Sequence, residues 1–234
     1  MSWRTNSVVI LTRSICRSLG INKYVAKFIL GEEYEHNYDR GFSKCIQLGD
    51  CIWDIGANIG HYTASFSHRV GNTGKVIAFE PSPMNFARLS EKCSSLSNVS
   101  LHQVGIGATD SMMKFIQGGD SLGATSRFVD EKGDGESISI RSAESLLEHA
   151  SVPRPNVVKI DVEGFELDVL NGFGRLLENN DLRAIGVEMH FGILQERGQT
   201  DAPARIEKLL THSGFKIRWA DPSHILAVRT KTVK

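Results

Sequence analysis

The clearest chemical pattern in the chain is a glycine-rich stretch in which Asp54, Gly56, Asn58 and Gly60 alternate with other residues. It follows a short apolar run that begins at Cys51. The residues after it, HYTASFSHRV, are predicted to form a helix. A strand that passes through a tight glycine turn into a helix is the first unit of a nucleotide-binding α/β domain. Because glycine has no Cβ, the backbone of such a turn can approach a ligand closely. The pattern predicts a nucleotide site at the end of the first strand.

The spacing of this loop distinguishes between nucleotide ligands. A dinucleotide fingerprint has glycines at relative positions one, three and six. Those places hold Gly56, Asn58 and His61, which disfavours NAD. The order Asp-x-Gly-x-Asn-x-Gly instead resembles the S-adenosylmethionine (SAM) loop of class I methyltransferases. Glycine-rich turns between a strand and a helix also occur without a ligand, so the loop alone leaves a purely structural role open.

An acidic residue, Glu80, ends the second apolar run and lies 20 positions beyond Gly60. An acid at this place typically accepts hydrogen bonds from the two ribose hydroxyls of a nucleotide. The alternative is an ordinary carboxylate at the end of a strand. The turn that begins at Gly105 is expected to lie beside the adenine. The residues predicted to bind the cofactor are Asp54, Gly56, Asn58, Gly60, Glu80, Gly105 and Asp161.

Further polar residues follow two later strands. Asp161 ends the run NVVKID, and Glu188 and His190 lie at the end of LRAIGVEMH. Ligands of open α/β sheets bind at the carboxyl ends of the strands, so we predict Asp161, Glu188 and His190 as the catalytic group. Glu163 is a further candidate base, or an acid at a helix start. His190 is the only imidazole among the candidates and has a natural pKa suited to base chemistry, although a structural role is equally open.

The same catalytic group could instead bind a divalent ion that orients the acceptor oxygen. Asp161, Glu188 and His190 are far apart in the sequence, however, and show no ligand spacing. The sequence analysis therefore predicts no metal site. Asp161 has a second possible role, which is to position the methionine end of SAM.

The elements that must position these residues alternate between strands and helices. Strands are predicted at 51–54, 75–80, 99–106, 156–161 and 182–190, and the chain closes with an antiparallel pair at 215–220 and 224–229. This alternation predicts a Rossmann-like α/β fold: a mostly parallel, seven-stranded sheet with one antiparallel strand and helices on both faces. The predicted domain covers residues 48–234, after an N-terminal helical or cap segment at 1–47.

Composition excludes several classes of protein. The 234 residues carry 27 Lys and Arg against 27 Asp and Glu, so the zero net charge leaves no electrostatic footprint for nucleic acid. The four cysteines form no Cys-x-x-Cys pair, which is typical of reduced thiols in a cytoplasmic protein. No apolar run approaches the length of a membrane span.

Two segments leave alternatives open. Residues 1–31 contain five basic residues and no acid, which fits an amphipathic helix, a peripheral membrane contact or a transit peptide. The Gly-, Ser- and Asp-rich stretch at 117–136 fits a mobile lid, a substrate-facing insertion or a solvated hairpin without a function.

Three segments together resemble the FkbM family of SAM-dependent methyltransferases: LGDCIWDIGANIGHYT, VIAFEPSPMNFARL and VVKIDVEGFELDVLNG. VEMH in the fifth predicted strand agrees, and the resemblance covers about residues 48–190. It implies O-methylation of a hydroxyl on a sugar, a glycan or a secondary metabolite, with SAM as cofactor. The chain departs from the family pattern at Ala143-Glu144-Ser145, where the family has a Leu-Asp-Asp pattern, and at Gly105, where alanine is common. The alternatives are a SAM-binding module without turnover and a nucleotide-dependent oxidoreductase.

Overall fold

The computed structural model describes residues 36–116, 127–129, 135–149 and 152–229. Its helices are α1 (His36–Ser43), α2 (His61–Val70), α3 (Pro83–Cys93), α4 (Ala143–His149), α5 (Glu166–Asn171), α6 (Phe191–Glu196) and α7 (Ala202–His212), with a 3-10 helix at Gly174–Glu178. Its strands are β1 (Cys51–Ile55), β2 (Lys75–Phe79), β3 (Val99–His102), β4 (Gly105–Ile106), β5 (Ser111–Ile116), β6 (Arg127–Val129), β7 (Glu136–Arg141), β8 (Val157–Ile160), β9 (Ala184–Glu188), β10 (Phe215–Trp219) and β11 (His224–Arg229).

Seven of these strands form the central sheet in the order β10-β11-β9-β8-β1-β2-β3. Strand β11 runs antiparallel to both of its neighbours, and the other pairs are parallel. The predicted seven-stranded sheet with one antiparallel strand is therefore confirmed. In the register, Ile55 lies between Phe79 and Ile160, so β1, β2 and β8 end at the same level. The residues that follow these three strands consequently meet at one edge of the sheet.

The inner strands form because their side chains are buried on both faces. Strand β8 is buried at every position, and β1 is buried at all but its first. Near-continuous apolar runs are typical of parallel strands covered by helices on both sides. The ring of Trp53 packs edge-on against Phe79, with centroids 5.2 Å apart, and Phe173 covers the same side. This core holds the strand ends in fixed positions.

A second, four-stranded sheet has the order β4-β7-β5-β6. The prediction of one strand over 99–106 is wrong, because the chain leaves the central sheet after His102 and enters the second sheet at Gly105. At Gly105 an added Cβ would lie 2.6 Å from Cδ1 of Ile140, so the glycine lets β4 pack closely against β7. The apolar positions shift by one residue across this break, from Val99 and Leu101 before it to Val104 and Ile106 after it.

Two helix starts differ in their capping. Ser82 precedes α3 and its hydroxyl accepts a hydrogen bond from the Asn85 amide at 3.4 Å, which is the contact of an N-cap residue. Asp201 precedes α7, but its side chain makes no capping hydrogen bond. The short helix α6, which begins directly after His190, is an element that the sequence analysis did not predict.

The segment before the domain is described only from His36. Tyr38 and Phe42 on α1 are buried, and the glycine at Gly186 in β9 leaves the space that their rings occupy. Residues 36–43 therefore pack on the central sheet. The basic stretch at 1–31 lies outside the described residues, as does most of the predicted lid at 117–136, so the interpretations of both stay predictions.

The described cysteines Cys45, Cys51 and Cys93 carry free thiols, and Cys16 lies outside the described residues. Within the described ranges, every helix is too short or too polar to cross a lipid bilayer.

Candidate active site

A cleft of about 350 Å³ opens where β1, β2 and β8 end. Its apolar walls include Phe79 on the central sheet, Ile106 on the second sheet and Val104 in the link between β3 and β4. Predicted site residues that line it are Gly56, Asn58, Glu80, Gly105 and Asp161, and Glu163 lines it as well. A concave, mostly apolar cleft with a few converging polar groups is typical of a site for a small organic ligand.

The glycine loop is shaped by its protein neighbours. Gly56 has φ +79°, and a Cβ added there would lie 1.8 Å from the carbonyl oxygen of Asp161. The amides of Gly56 and Ala57 both donate to the carbonyl of Phe79 at 3.0 Å. Gly60, at φ +84°, starts α2 and faces Leu89 rather than the cleft. The loop needs glycine as predicted, but the close approaches are to backbone and side chains of the protein itself.

Glu80 is positioned by two backbone amides. Its Oε2 accepts a hydrogen bond from the Asn58 amide at 2.8 Å, and its Oε1 accepts one from the Ser82 amide at 2.9 Å. Burial raises the pKa of Glu80 to about 7, although both hydrogen bonds act to lower it. Each carboxylate oxygen has a further lone pair, so this buried acceptor can take hydroxyl donors from a ligand in the cleft.

This pKa leads to an expected pH dependence of SAM binding. In the predicted complex, ribose hydroxyls donate to the carboxylate form of Glu80, so binding would favour deprotonation and lower its pKa from about 7. We expect SAM affinity to level off above this pH and to fall below it, by at most about tenfold for each pH unit. Calorimetry on the parent and on Glu80→Gln, between pH 5.5 and 8, measures this change. The variant should lose the decrease below pH 7 while retaining any effect of the ligand's own amino group, which titrates near pH 8.

Asp54 lies beneath the cleft. Its side chain is fully buried, and its Oδ2 accepts a hydrogen bond from the Thr63 hydroxyl at 2.6 Å. Lys159 Nζ lies 3.7 Å from Asp54 Oδ1 and 3.2 Å from Asp161 Oδ2. Burial acts to lower the pKa of Lys159, but the charges of Asp161 and Asp54 raise it overall, so the ammonium stays charged. Asp54 is therefore linked to the cleft residue Asp161 through Lys159, which lies between the two carboxylates. The sequence signal for Lys159 was a charged residue inside an apolar strand.

The three residues predicted as the catalytic group come together. One ligand atom from each of Asp161, Glu188 and His190 lies within 4.8 Å of the others. His190 Nε2 is 3.6 Å from Asp161 Oδ1. Of the three, only Asp161 is part of the cleft wall, and the other two stand behind it.

Glu166 holds the imidazole of His190 from the buried side. Its Oε1 lies 2.6 Å from His190 Nδ1, and Glu163 Oε2 lies 3.3 Å from Nε2. Burial acts to lower the pKa of His190, but the charges of Glu163 and Glu166 raise it well above its usual value. With these neighbours alone the imidazole is protonated at neutral pH, which disfavours the predicted role as a base. Glu166 was missed because its place on a short helix carries no sequence signal for this contact.

A second histidine–carboxylate pair supports Glu188. His224 Nδ1 lies 2.9 Å from Asp221 Oδ1, and its Nε2 lies 3.4 Å from Glu188 Oε2. Burial acts to raise the pKa of Glu188, but the hydrogen bond from His224 and the charge of His190 lower it to about 2. Neither Asp221, in the turn before β11, nor His224 was among the predicted site residues.

These observations agree with the comparison with known families. The model of the FkbM methyltransferase domain matches residues 54–217, which includes the glycine loop and the whole histidine–carboxylate cluster apart from Asp221 and His224. The chain belongs to the FkbM methyltransferase family. The methyl donor of this family is SAM.

Two curated relatives match part of the FkbM-family chain. The hexuronic acid methyltransferase AglP of Haloferax volcanii is 33% identical over 145 residues, which are 62% of this chain and 57% of the relative. Methyltransferase 1 of Beauveria bassiana is 28% identical over 143 residues, 52% of this chain and 57% of the relative. The matches thus span less than two thirds of either relative.

Solved structures agree on the fold. A protein from Streptococcus mutans in complex with SAH superimposes with a TM-score of 0.51 at 13% identity, covering 82% of this chain and 96% of that one. The precorrin-6y C5,15-methyltransferase of Geobacter metallireducens GS-15 has a TM-score of 0.50 at 14% identity, covering 82% and 87%. At these identities the likeness shows the class I methyltransferase fold.

The residues of the cleft fit SAM. Glu80 offers a buried carboxylate at the level of the glycine loop, and Val104 and Ile106 form an apolar wall where the adenine was predicted. Asp161 lines the cleft at the end of the neighbouring strand β8, and its carboxyl group is the one predicted to position the methionine end of SAM.

Proposed function

We propose that this FkbM-family protein is a SAM-dependent O-methyltransferase that acts on a hydroxyl of a sugar or glycan. The observation that carries the proposal is the position of Glu80 and Asp161 in one apolar cleft, where the first suits a ribose and the second suits the reacting end of the donor. The acceptor class is supported by the relative AglP, whose name describes a hexuronic acid methyltransferase. The proposed cofactor residues in the cleft wall are Gly56, Asn58, Glu80, Gly105 and Asp161, with Asp54 and Gly60 supporting the loop.

SAM supplies an electrophilic methyl group on a sulfonium. In the proposed arrangement the protein holds the acceptor hydroxyl in line with that methyl, and orientation of this kind can contribute up to roughly 7–11 kcal/mol. The hydroxyl loses its proton as the new C–O bond forms, so a carboxylate beside it helps, typically by about 10²–10⁴-fold. Asp161 is the member of the catalytic group that lines the cleft, and Lys159 Nζ lies 3.2 Å from its Oδ2. Glu188 and His190, whose ligand atoms lie within 4.8 Å of that of Asp161, are proposed as positioning residues.

The proposal is tested by calorimetry with SAM and with NAD, followed by transfer of a labelled methyl group from SAM to oligosaccharides that contain hexuronic acid. We expect heat from SAM, none from NAD, and label in an alkali-stable methyl ether rather than an ester. NAD binding without SAM binding would overturn the proposal and favour an oxidoreductase. SAM binding without transfer to any hydroxyl acceptor would favour a binding module.

Replacement of His190 by glutamine is expected to lower kcat by about 10–100-fold while SAM affinity stays within about twofold, because a positioning residue acts in the transition state. Glutamine keeps a donor for the buried Glu166, so the variant should fold. The matched control is His149→Gln, at an exposed imidazole on α4. If His190 only supports the fold, melting temperature and SAM affinity would fall together and kcat per folded molecule would not change.

A further inference from the structure

The side chains behind the cleft have the arrangement of a metal site. Asp161 uses Oδ2 to pair with Lys159, which leaves Oδ1 facing His190 Nε2 at 3.6 Å. Glu188 ends the adjacent strand. Its side chain is 36% exposed to solvent, so an ion can reach it. Ligand atoms of all three lie within 4.8 Å of one another. Two ligands on opposite sides of a divalent ion, each about 2.0–2.6 Å from it, are about 4–5 Å apart. The ligand atoms of this cluster have a comparable spacing.

The imidazole of His190 is oriented as a metal-binding histidine usually is. A metal-binding histidine almost always gives its second ring nitrogen to a carboxylate, which sets its tautomer and direction. Oε1 of Glu166 lies 2.6 Å from Nδ1 of His190, so Nε2 of the same ring is directed at Asp161 and Glu163. Asp221 does the same for His224, whose Nε2 then holds Glu188 at 3.4 Å. Both second-layer carboxylates are buried.

A second observation concerns the carboxylates around this cluster. Oε2 of Glu166 and Oδ2 of Asp221 are buried and have no hydrogen-bond partner in the described part of the chain. A buried carboxylate oxygen without a partner is costly unless a cation lies nearby. Five carboxylates, Asp161, Glu163, Glu166, Glu188 and Asp221, surround the two imidazoles and Lys159.

We infer that Asp161, Glu188 and His190 bind a divalent metal ion between the ends of β8 and β9. Two carboxylates and one imidazole suit a hard or borderline ion such as Mg²⁺ or Mn²⁺ rather than a thiolate-bound metal. The inference rests on the proposed function for its role: the ion would orient the acceptor hydroxyl and lower its pKa next to the methyl donor. The histidine contributes a neutral ligand nitrogen, and Glu166 and Asp221 act as positioning residues.

The test uses the full chain after treatment with a chelator, and MnCl₂ as the probe. Electron paramagnetic resonance follows the signal of free aqueous Mn²⁺, which is lost when the ion binds to protein. We expect one equivalent of signal loss in the parent. Glu188→Gln, which retains the shape of the side chain, should weaken Mn²⁺ binding by at least about 10–100-fold. Asp201→Asn is the matched control, because it removes one exposed carboxylate distant from the cluster in sequence and should leave Mn²⁺ affinity unchanged.

An unchanged Mn²⁺ signal with the stripped parent at millimolar ion would overturn the inference, and so would equal losses in Glu188→Gln and Asp201→Asn. The parent measurement stands even if one variant fails to fold. SAM calorimetry on the same stripped protein separates the two proposals. SAM binding without Mn²⁺ binding removes only the metal site, whereas failure of SAM to bind removes the proposed function whatever the ion does.

Discussion

Replacing Glu80 by alanine is expected to weaken SAM binding by at least about 100-fold while the protein remains folded. In the proposed complex the carboxylate accepts two hydroxyl hydrogen bonds, and hydrogen bonds to a charged group contribute about 1.5–3 kcal/mol each. The same carboxylate also holds the amides of Asn58 and Ser82, so the variant loses order in the glycine loop as well as a ligand contact. Folding should suffer less, because burial already raises the pKa of this carboxyl to about 7.

The measurement is SAM affinity by calorimetry at a temperature where circular dichroism shows the variant to be folded. Glu91→Ala is a suitable control, since Glu91 is an exposed acid on the neighbouring helix α3. Equal SAM affinity in Glu80→Ala and Glu91→Ala would mean that Glu80 does not hold the ribose. The carboxylate would then be an ordinary residue at the end of a strand.

The parts of the site that the sequence predicts well are those controlled by strand register. Parallel neighbouring strands that end at one level place the residues after them at the same edge of the sheet. Ile55, Phe79 and Ile160 are the last residues of three such strands. Gly56, Glu80 and Asp161 each follow one of these strands. Apolar runs indicated the strands and acids marked their ends, so this side of the cleft was predicted from local patterns alone.

The parts that could not be predicted depend on packing between distant elements. Glu166 lies on α5 and Asp221 lies in the turn before β11, yet each lies behind a histidine that faces the same cluster. No spacing rule connects these positions, because their separation is set by how a helix and a hairpin pack on the sheet. Lys159 is an intermediate case: a lysine in a buried strand indicates a charge partner, but the sequence does not say which one.

The break between β3 and β4 also depends on packing between distant elements. The run from Val99 to Ile106 was predicted as one strand, but the chain changes sheets after His102. The space that a missing Cβ leaves beside Ile140 decides where the second sheet joins the first. That space exists only once β7 is in place, so a local pattern does not reveal it.

Replacing Gly56 by alanine is expected to be the most damaging single change in the loop, with a loss of more than about 4 kcal/mol of stability. A left-handed backbone costs a non-glycine residue about 1–2 kcal/mol. At Gly56 the new Cβ would also lie 1.8 Å from the carbonyl oxygen of Asp161, which is a rigid backbone atom at the end of β8. Either the loop or the start of the segment after β8 must move, and both line the cleft.

Gly49→Ala separates the two contributions. Gly49 has a similar φ of +85°, but a Cβ there would meet only the hydroxyl of Thr73 at 3.6 Å, an ordinary contact. We expect it to cost only the backbone strain of about 1–2 kcal/mol, or roughly 2–8 °C in melting temperature. Gly56→Ala should lower the melting temperature by more than about 10 °C and abolish SAM binding. If the two variants melt together, the close approach of the loop to Asp161 relaxes without cost, and the requirement for glycine at position 56 comes from φ alone.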